Sequence, residues 1–379
     1  MVEQSAGKIR VGVLFGGRSG EHEVSLMSAR SVLAALDPRK YAVTQIGITH
    51  EGEWLFGENV LEKMEAGRLE SLQAVSMLPD PTRPGLFGIR QTNGGEILEK
   101  LTDLDVVFPV LHGTFGEDGT LQGFLEMADL AYVGAGVLGS SLGMDKGVFK
   151  DVMRAHNIPV VESVVFNRSE IARDIQSVLD RAEQVSAYPL FVKPANLGSS
   201  VGVRKCRNRS DLMEGLLEAA RYDRRMLVER GVNAREIEVS VLGNDQPQAS
   251  IPGEIIPAAE YYTYEAKYYD ERSALLIPAP LSPEVTAEVQ RLAVGAFRAS
   301  DCAGMARVDF LMDNDTQQVY VNEINTIPGF TKISMYPKLW EASGVSYPEL
   351  IDRLIELALE RKFDRDQTER RYDRQGAGK

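Results

Sequence analysis

The sequence predicts an α/β protein, with a parallel α/β layer at the N-terminus followed by two α+β segments. Three observations predict it. Buried-type apolar runs alternate with amphipathic helical stretches as far as Gly134. From about Lys146 the pattern changes to short strands, loops and single helices. Residues 306–329, ARVDFLMDNDTQQVYVNEINTIPG, read as two alternating strands about a turn-rich centre.

In chain order, KIRVGVLFGG reads as a buried strand ending in glycines. EVSLMSARSVLAALD places Val24, Met27, Val32, Leu33 and Leu36 near helical spacing and stops at Asp37-Pro38. YAVTQIGI is a second strand. Residues 56–100 are weakly patterned, and a helix with surface loops is expected there. DVVFPVLHG is a third strand, TLQGFLEMAD a helix and LAYVG a short strand. GVFKDVMRAHN is helical and stops before Ile158-Pro159. YPLFVKP, the loop ANLGSS, VGVRKC, a helix from Ser210 to Tyr222 and RMLVERGV follow. REIEVSVLG and QASIPGEIIP then accompany the helix SPEVTAEVQRLAVGAFRAS, which opens on a Ser282 N-cap and Pro283. After the hairpin comes a final helix, SYPELIDRLIELALERK. The charged, apolar-poor FDRDQTERRYDRQGAGK is expected to be disordered. The domain bounds expected are 1–140, 141–235 and 236–362, with a tail at 363–379.

A chain of 379 residues exceeds what one core usually serves. Its hydrophobic content of 44% and charged content of 26% are those of a soluble globular protein. No run is apolar enough to span a membrane, and the start does not read as a signal peptide. Two cysteines without motif spacing fit a reducing cytoplasm, and scattered histidines argue against zinc. A net charge of −13 makes nucleic acid an unsuitable partner while leaving room for a nucleotide held by a few local cations.

If the 306–329 hairpin turns near Asp315–Thr316, Asp309 and Glu323 lie roughly opposite and Asn325 shares their face. Two carboxylates across a ladder repel, and a hard cation resolves the conflict, since magnesium in nucleotide sites takes carboxylates plus phosphate oxygens. A solvated outer face is the plain alternative, weakened by neighbouring Arg307 and by NTIPG. The loop KPANLGSSVGV is either a phosphate-binding loop, with Lys193 at the strand end, or a decorated turn; it is not a P-loop. GAGVLG satisfies GxGxxG but lies far from the first strand, so its glycines read as an interdomain linker. GGRSGEHEVSL places Glu21 at a strand-to-helix turn, suited to a substrate ammonium or simply to the helix dipole. HGTFGEDGTLQG, starting at His112, lies at the carboxyl edge of the sheet, where ligands bind. YYTYEAKYYDERS, with Lys267 and Tyr268, is either a surface loop or a lid that excludes water.

With those residues gathered, the sequence resembles the D-alanine–D-alanine ligases of the ATP-grasp superfamily, from about residue 9 to 361. Six ordered segments carry the resemblance: GGRSGEHEVSL, LHGTFGEDGTLQG, GMDK, VKPANLGSSVGV, YEAKY and ARVDF…VNEINTIPGFTKIS. It implies a three-domain ATP-grasp architecture whose two α+β domains clamp ATP, the co-substrate. Lys146, Lys193, Glu229, Arg230, Val232, Glu236 and Lys267 would hold the nucleotide. Asp309, Glu323 and Asn325 would hold two Mg2+ ions, with Mn2+ as a substitute. Glu21 would take the first D-alanine's ammonium, linked through Ser199 to Tyr268, and His112 would join the substrate site. Arg307 and the Gly329 N–H would form the oxyanion site, and Ser334 would hold the second carboxylate. Tyr268, where depsipeptide-forming relatives often carry histidine, favours D-alanine over D-lactate as acceptor. The resemblance further implies a cytoplasmic homodimer serving peptidoglycan precursor synthesis, with no nucleic-acid or membrane partner. Competing readings are another ATP-grasp carboxylate–amine ligase, a non-catalytic nucleotide-binding protein and a nicotinamide oxidoreductase.

Overall fold

Three β-sheets, each with its own apolar core, organise the computed structural model, which describes residues 7–198, 201–256 and 274–370. In the first sheet, Ile9–Gly16 pairs in parallel with Tyr41–Ile48 and Val106–Val110, and the latter with Ala131–Tyr132. Apolar side chains fill both faces of these strands, which explains their unbroken hydrophobic runs. The sheet is not wholly parallel. Trp54–Phe56, Gln73–Met77, Leu86–Thr92 and Gly95–Thr102 extend it antiparallel beyond Tyr41–Ile48. Residues 56–100 therefore contain the expected helix, Val60–Glu65, but otherwise build strands rather than loops. Their pattern is weak because Gly95–Thr102 is exposed over most of its length, so alternation has no core to answer to.

The second sheet is four-stranded and antiparallel, ordered Arg204–Cys206, Leu190–Pro194, Arg225–Arg230, Ser163–Asn167. Helices Arg168–Ala182 and Arg209–Tyr222 close its core through Leu179, Leu212 and Leu216. Residues 231–233 connect it to the third sheet. There Ala234–Gly243 pairs along its whole length with Gly304–Asp313, which pairs in turn with Val319–Asn325. Helix Pro283–Ala299 covers that sheet, capped as expected by Ser282 Oγ accepting from Val285 N–H at 3.3 Å.

Packing crosses two of the expected boundaries. Helix Lys146–Ala155 contributes Phe149 and Met153 to the core of the third sheet, not the second. Leu350, Ile351, Leu354 and Ile355 of the last helix, Tyr347–Arg365, share a core with Val11 and Phe15 of the first strand. The last helix also runs three residues into the stretch expected to be disordered. Arg365 reaches Glu126, and Asp129 at 3.1 Å, so ion pairing rather than apolar burial holds this end. Residues 371–379 of the expected tail lie outside the described residues. The GAGVLG glycines lead directly into a helix, Val137–Met144. A Cβ built on Gly304 would meet Gly134 N at 3.2 Å, so two glycines here permit close backbone approach. Among the described residues, no helix is long and apolar enough to cross a membrane.

Candidate active site

Near its turn, the 304–325 hairpin pairs Phe310 with Val321 and Leu311 with Tyr320. Continued unchanged, that register would set Asn322 opposite Asp309. A β-bulge between Asp309 and Phe310 absorbs one residue, so Glu323 faces Asp309 and Asn325 faces Arg307. The expected juxtaposition of two carboxylates and an amide is therefore present, and it is made by an irregularity. On the other side of this strand, Glu238 is the ladder partner of Asp309.

Charges around this point do not balance. Arg307, 6% exposed, donates from Nε and Nη2 to the two Asp309 oxygens at 2.7 Å each, and Nε lies 3.0 Å from Glu238. These carboxylates hold the guanidinium pKa well above its ordinary value against the opposing effect of burial. Lys146 Nζ lies 3.3 Å from Glu323 and donates to Leu197 C=O at 2.8 Å. Three carboxylates against two cations leave a net −1. Asn325 Nδ2 donates to Asp309 Oδ2 at 2.9 Å, and because a carboxylate only accepts, this sets the amide's Oδ1 aside as a cation ligand. The donor set of two carboxylates and one amide oxygen fits a hard divalent ion such as magnesium.

The second sheet supplies the opposite sign. Glu229, 2% exposed, pairs with Lys193 and lies 3.2 Å from Lys150 Nζ. Burial alone would push the Glu229 carboxyl up, but the two ammonium charges hold its pKa at about 2. Lys193 stays protonated: burial opposes its charge, and Glu229, Glu323 and Glu236 outweigh burial. Burial pulls the Lys150 pKa down and Glu229 opposes that pull; with both lysines protonated, two ammoniums against one glutamate leave a net +1 beside the net −1 of the hairpin. An anion carrying a divalent cation, as a metal–nucleotide does, complements that polarity.

A third group surrounds Glu21, which is buried at the start of helix His22–Ala35. A Cβ on Gly113 would lie 2.8 Å from Glu21 Oε2, and one on Gly198 would lie 3.2 Å from it. The carboxylate is thus enclosed by glycines of HGTFGEDG and ANLGSS. The ANLGSS loop is pinned from below: Asn196 N–H donates to Asp223 at 2.7 Å and Asn196 Nδ2 to Asp145 at 3.1 Å. His112 donates from Nδ1 to Ile327 C=O at 3.0 Å, so Nε2 accepts from Ser28 Oγ at 3.1 Å; Ser28 in turn accepts from Phe330 N–H at 3.3 Å. That relay fastens the first layer to the NTIPGF turn. Ser334 precedes helix Met335–Ala342, and its Oγ accepts from Thr331 N–H at 3.1 Å. A Cβ on Gly329 would come within 2.8 Å of that Oγ.

The structure brings together Lys146, Lys193, Glu229, Arg307, Asp309, Glu323 and Asn325. The Arg230 side chain lies apart from this group. Strand alternation turns it away from Glu229, and it donates instead to Glu162 at 2.7 Å and to the Tyr320 hydroxyl at 3.0 Å. Val232 sits in the connection between the two sheets and Glu236 on the strand that follows. Ser199, Lys267 and Tyr268 lie outside the described residues. Sequence reasoning missed Lys150 and Glu238. Both were findable, Lys150 one helical turn after Lys146 and Glu238 two strand positions after Glu236.

Two antiparallel sheets joined by a short connection, with a lysine-lined and a carboxylate-lined wall, define the ATP-grasp class. Residues 10–135 match the family model "D-ala D-ala ligase N-terminus" and residues 152–356 the model "D-ala D-ala ligase C-terminus". A D-alanine–D-alanine ligase of Natranaerobius thermophilus is 52% identical over 95% of this chain and 97% of its own. One of Heliobacterium modesticaldum is 50% identical over 96% and 98%. The solved D-alanine–D-alanine ligase of Coxiella burnetii matches with a TM-score of 0.78 and 38% identity, covering 96% of this chain and 97% of its own. A D-Ala:D-Ser ligase of Enterococcus faecalis gives 0.83 and 34%, covering 93% and 100%. The chain belongs to the D-alanine–D-alanine ligase family, and it is an enzyme, a ligase.

Proposed function

We propose that this chain joins two D-alanine molecules through an acyl phosphate, converting ATP to ADP and phosphate, in peptidoglycan precursor synthesis. The observation that carries the proposal is the bulge that sets Glu323 opposite Asp309 beside Arg307. Lys146, Lys193, Glu229, Val232, Glu236 and Lys267 hold the nucleotide, Lys150 stabilises the buried Glu229, and Arg230 contributes only backbone. Asp309, Glu323 and Asn325 would hold two Mg2+ ions, or Mn2+ in their place, which when bound screen the phosphate charge that repels an attacking carboxylate.

Glu21 takes the ammonium of the first D-alanine and leaves its carboxylate free to attack the γ-phosphate. Ser199 and Tyr268 would continue that contact, and the acyl phosphate has to be kept from water. The second D-alanine, its carboxylate at Ser334, attacks with its amine. Arg307 Nε and Nη2 are committed to carboxylates, so its Nη1 hydrogens, with the Gly329 N–H, receive the tetrahedral oxyanion. One such donor is worth about 3 kcal/mol of transition-state stabilisation. His112, with both ring nitrogens engaged by protein, positions the turn rather than the substrate. We place the enzyme in the cytoplasm as a homodimer; sedimentation of the purified protein tests the dimer, and fractionation of cells tests the compartment.

The deciding experiment offers ATP, magnesium and D-alanine with D-serine and D-lactate in competition, and identifies products by mass. D-Ala-D-Ala as the main product is expected. The D-Ala:D-Ser neighbour makes D-serine the acceptor to exclude. Phosphate release with another acid and none with D-alanine would refute the proposal.

A further inference from the structure

Immediately after Glu21, His22 and Glu23 open the first helix, and His50 follows the second strand on a turn. One nitrogen from each ring and one Glu23 oxygen all lie within 4.8 Å of one another. Scattered histidines argued against zinc in the sequence, but the fold brings two of them together, and we propose that His22, Glu23 and His50 bind a borderline divalent ion of the Zn2+ type, at a site separate from the oxygen-lined one at Asp309.

Tautomer chemistry is the first support. His22, 5% exposed, has Nδ1 2.9 Å from Gly17 C=O, which can only accept, so the proton is on Nδ1. In the neutral ring Nε2 then carries the lone pair. A backbone carbonyl holding the distal N–H is the arrangement that orients metal-binding histidines. The second support is room to turn where it is needed. The His22 and His50 rings stack with centroids 3.8 Å apart and planes 21° apart, too parallel for one ion to lie in both planes. His50 and Glu23 have side chains 59% and 64% exposed and lie 3.8 Å apart, so both can turn toward the fixed His22. Zinc bonds of about 2.0–2.2 Å put ligand atoms roughly 3.3 Å apart, a contraction that rotation of two surface side chains supplies. The third support is charge. Glu23 offsets part of the ion's charge, which the helix N-terminus otherwise disfavours. Two imidazoles and one carboxylate select zinc, cobalt, nickel or copper over magnesium, and three ligands leave a position for water.

The test is titration of the full chain with Co2+, a zinc stand-in, in excess Mg2+ to cover the oxygen site. We expect one equivalent to give a strong visible absorption band, removed by Zn2+, and Zn2+ to raise the melting temperature. His50→Ala should abolish the band, lower Co2+ affinity at least tenfold and leave ligation without added zinc unchanged. Glu23→Gln should weaken binding less. No band in the unaltered chain, or an equal band in His50→Ala, overturns the proposal.

Discussion

Glu323 lies directly across the ladder from Asp309, and Lys146 Nζ sits 3.3 Å from the Glu323 carboxylate. Arg307 is shared between Asp309 and Glu238, so three acids face two cations and this pairing opposes folding and serves binding. Glu323→Gln should therefore lower turnover about 10²–10³-fold and raise the magnesium requirement, while leaving stability unchanged or up by about 0.5 kcal/mol. Steady-state rates across a magnesium series and a denaturant curve check both halves. A variant that loses stability and keeps its rate would show the pair to be structural.

Glu229 should behave in the opposite way, because it is buried between two lysines. Glu229→Gln leaves both ammoniums without their acid and should cost about 3–5 kcal/mol. The pH dependence follows from its pKa of about 2 against an ordinary value of 4.5. A depressed carboxyl stabilises the fold above the unfolded pKa, and that contribution fades as pH falls from about 4.5 toward 2. On the order of 3 kcal/mol is involved. Unfolding free energies of the two proteins should converge at the acid end, and parallel curves would contradict the pairing.

Gly113 combines a φ of +74° with a Cβ position 2.8 Å from Glu21 Oε2. Gly113→Ala should cost about 1 kcal/mol of stability and, by displacing the carboxylate, raise the KM for D-alanine roughly tenfold with the KM for ATP unchanged. Separate titrations of the two substrates distinguish the outcomes. Equal change in both would place Glu21 elsewhere in the mechanism.

Arg361 donates to Gly134 C=O and, at 3.1 Å, to Tyr132 C=O, with its guanidinium 4.2 Å above the Tyr132 ring. Arg361→Ala should destabilise the chain by about 2 kcal/mol without altering the KM for either substrate. Chemical denaturation with parallel kinetics measures this.

Legibility in the sequence followed burial. The parallel strands were readable because both faces are packed, and Ser282-Pro283 marked its helix because capping is local. The acidic pair was legible through strand alternation. The bulge that aligns it was not, since a plain register would have chosen Asn322. The hairpin turning at Asn93-Gly94, with Thr92 paired to Gly95, went unread because its exposed flanks hid the strands it joins. The direction of the Arg230 side chain was not legible, because the resemblance marks a position, whereas the face depends on the strand's pairing. Lys150 was passed over although it lies one helical turn after Lys146, because its buried partner Glu229 is distant in sequence.

Leu350, Ile351, Leu354 and Ile355 complete the core around Val11 and Phe15. A ribosome makes roughly 5–20 residues per second, so the opening strand waits on the order of tens of seconds for its last packing partners. Until then, the part of the first sheet's face that helix His22–Ala35 leaves open stays uncovered and is a ready surface for chaperones. Chains cut short near residue 340 never cover it, which makes them natural prey for quality-control proteases.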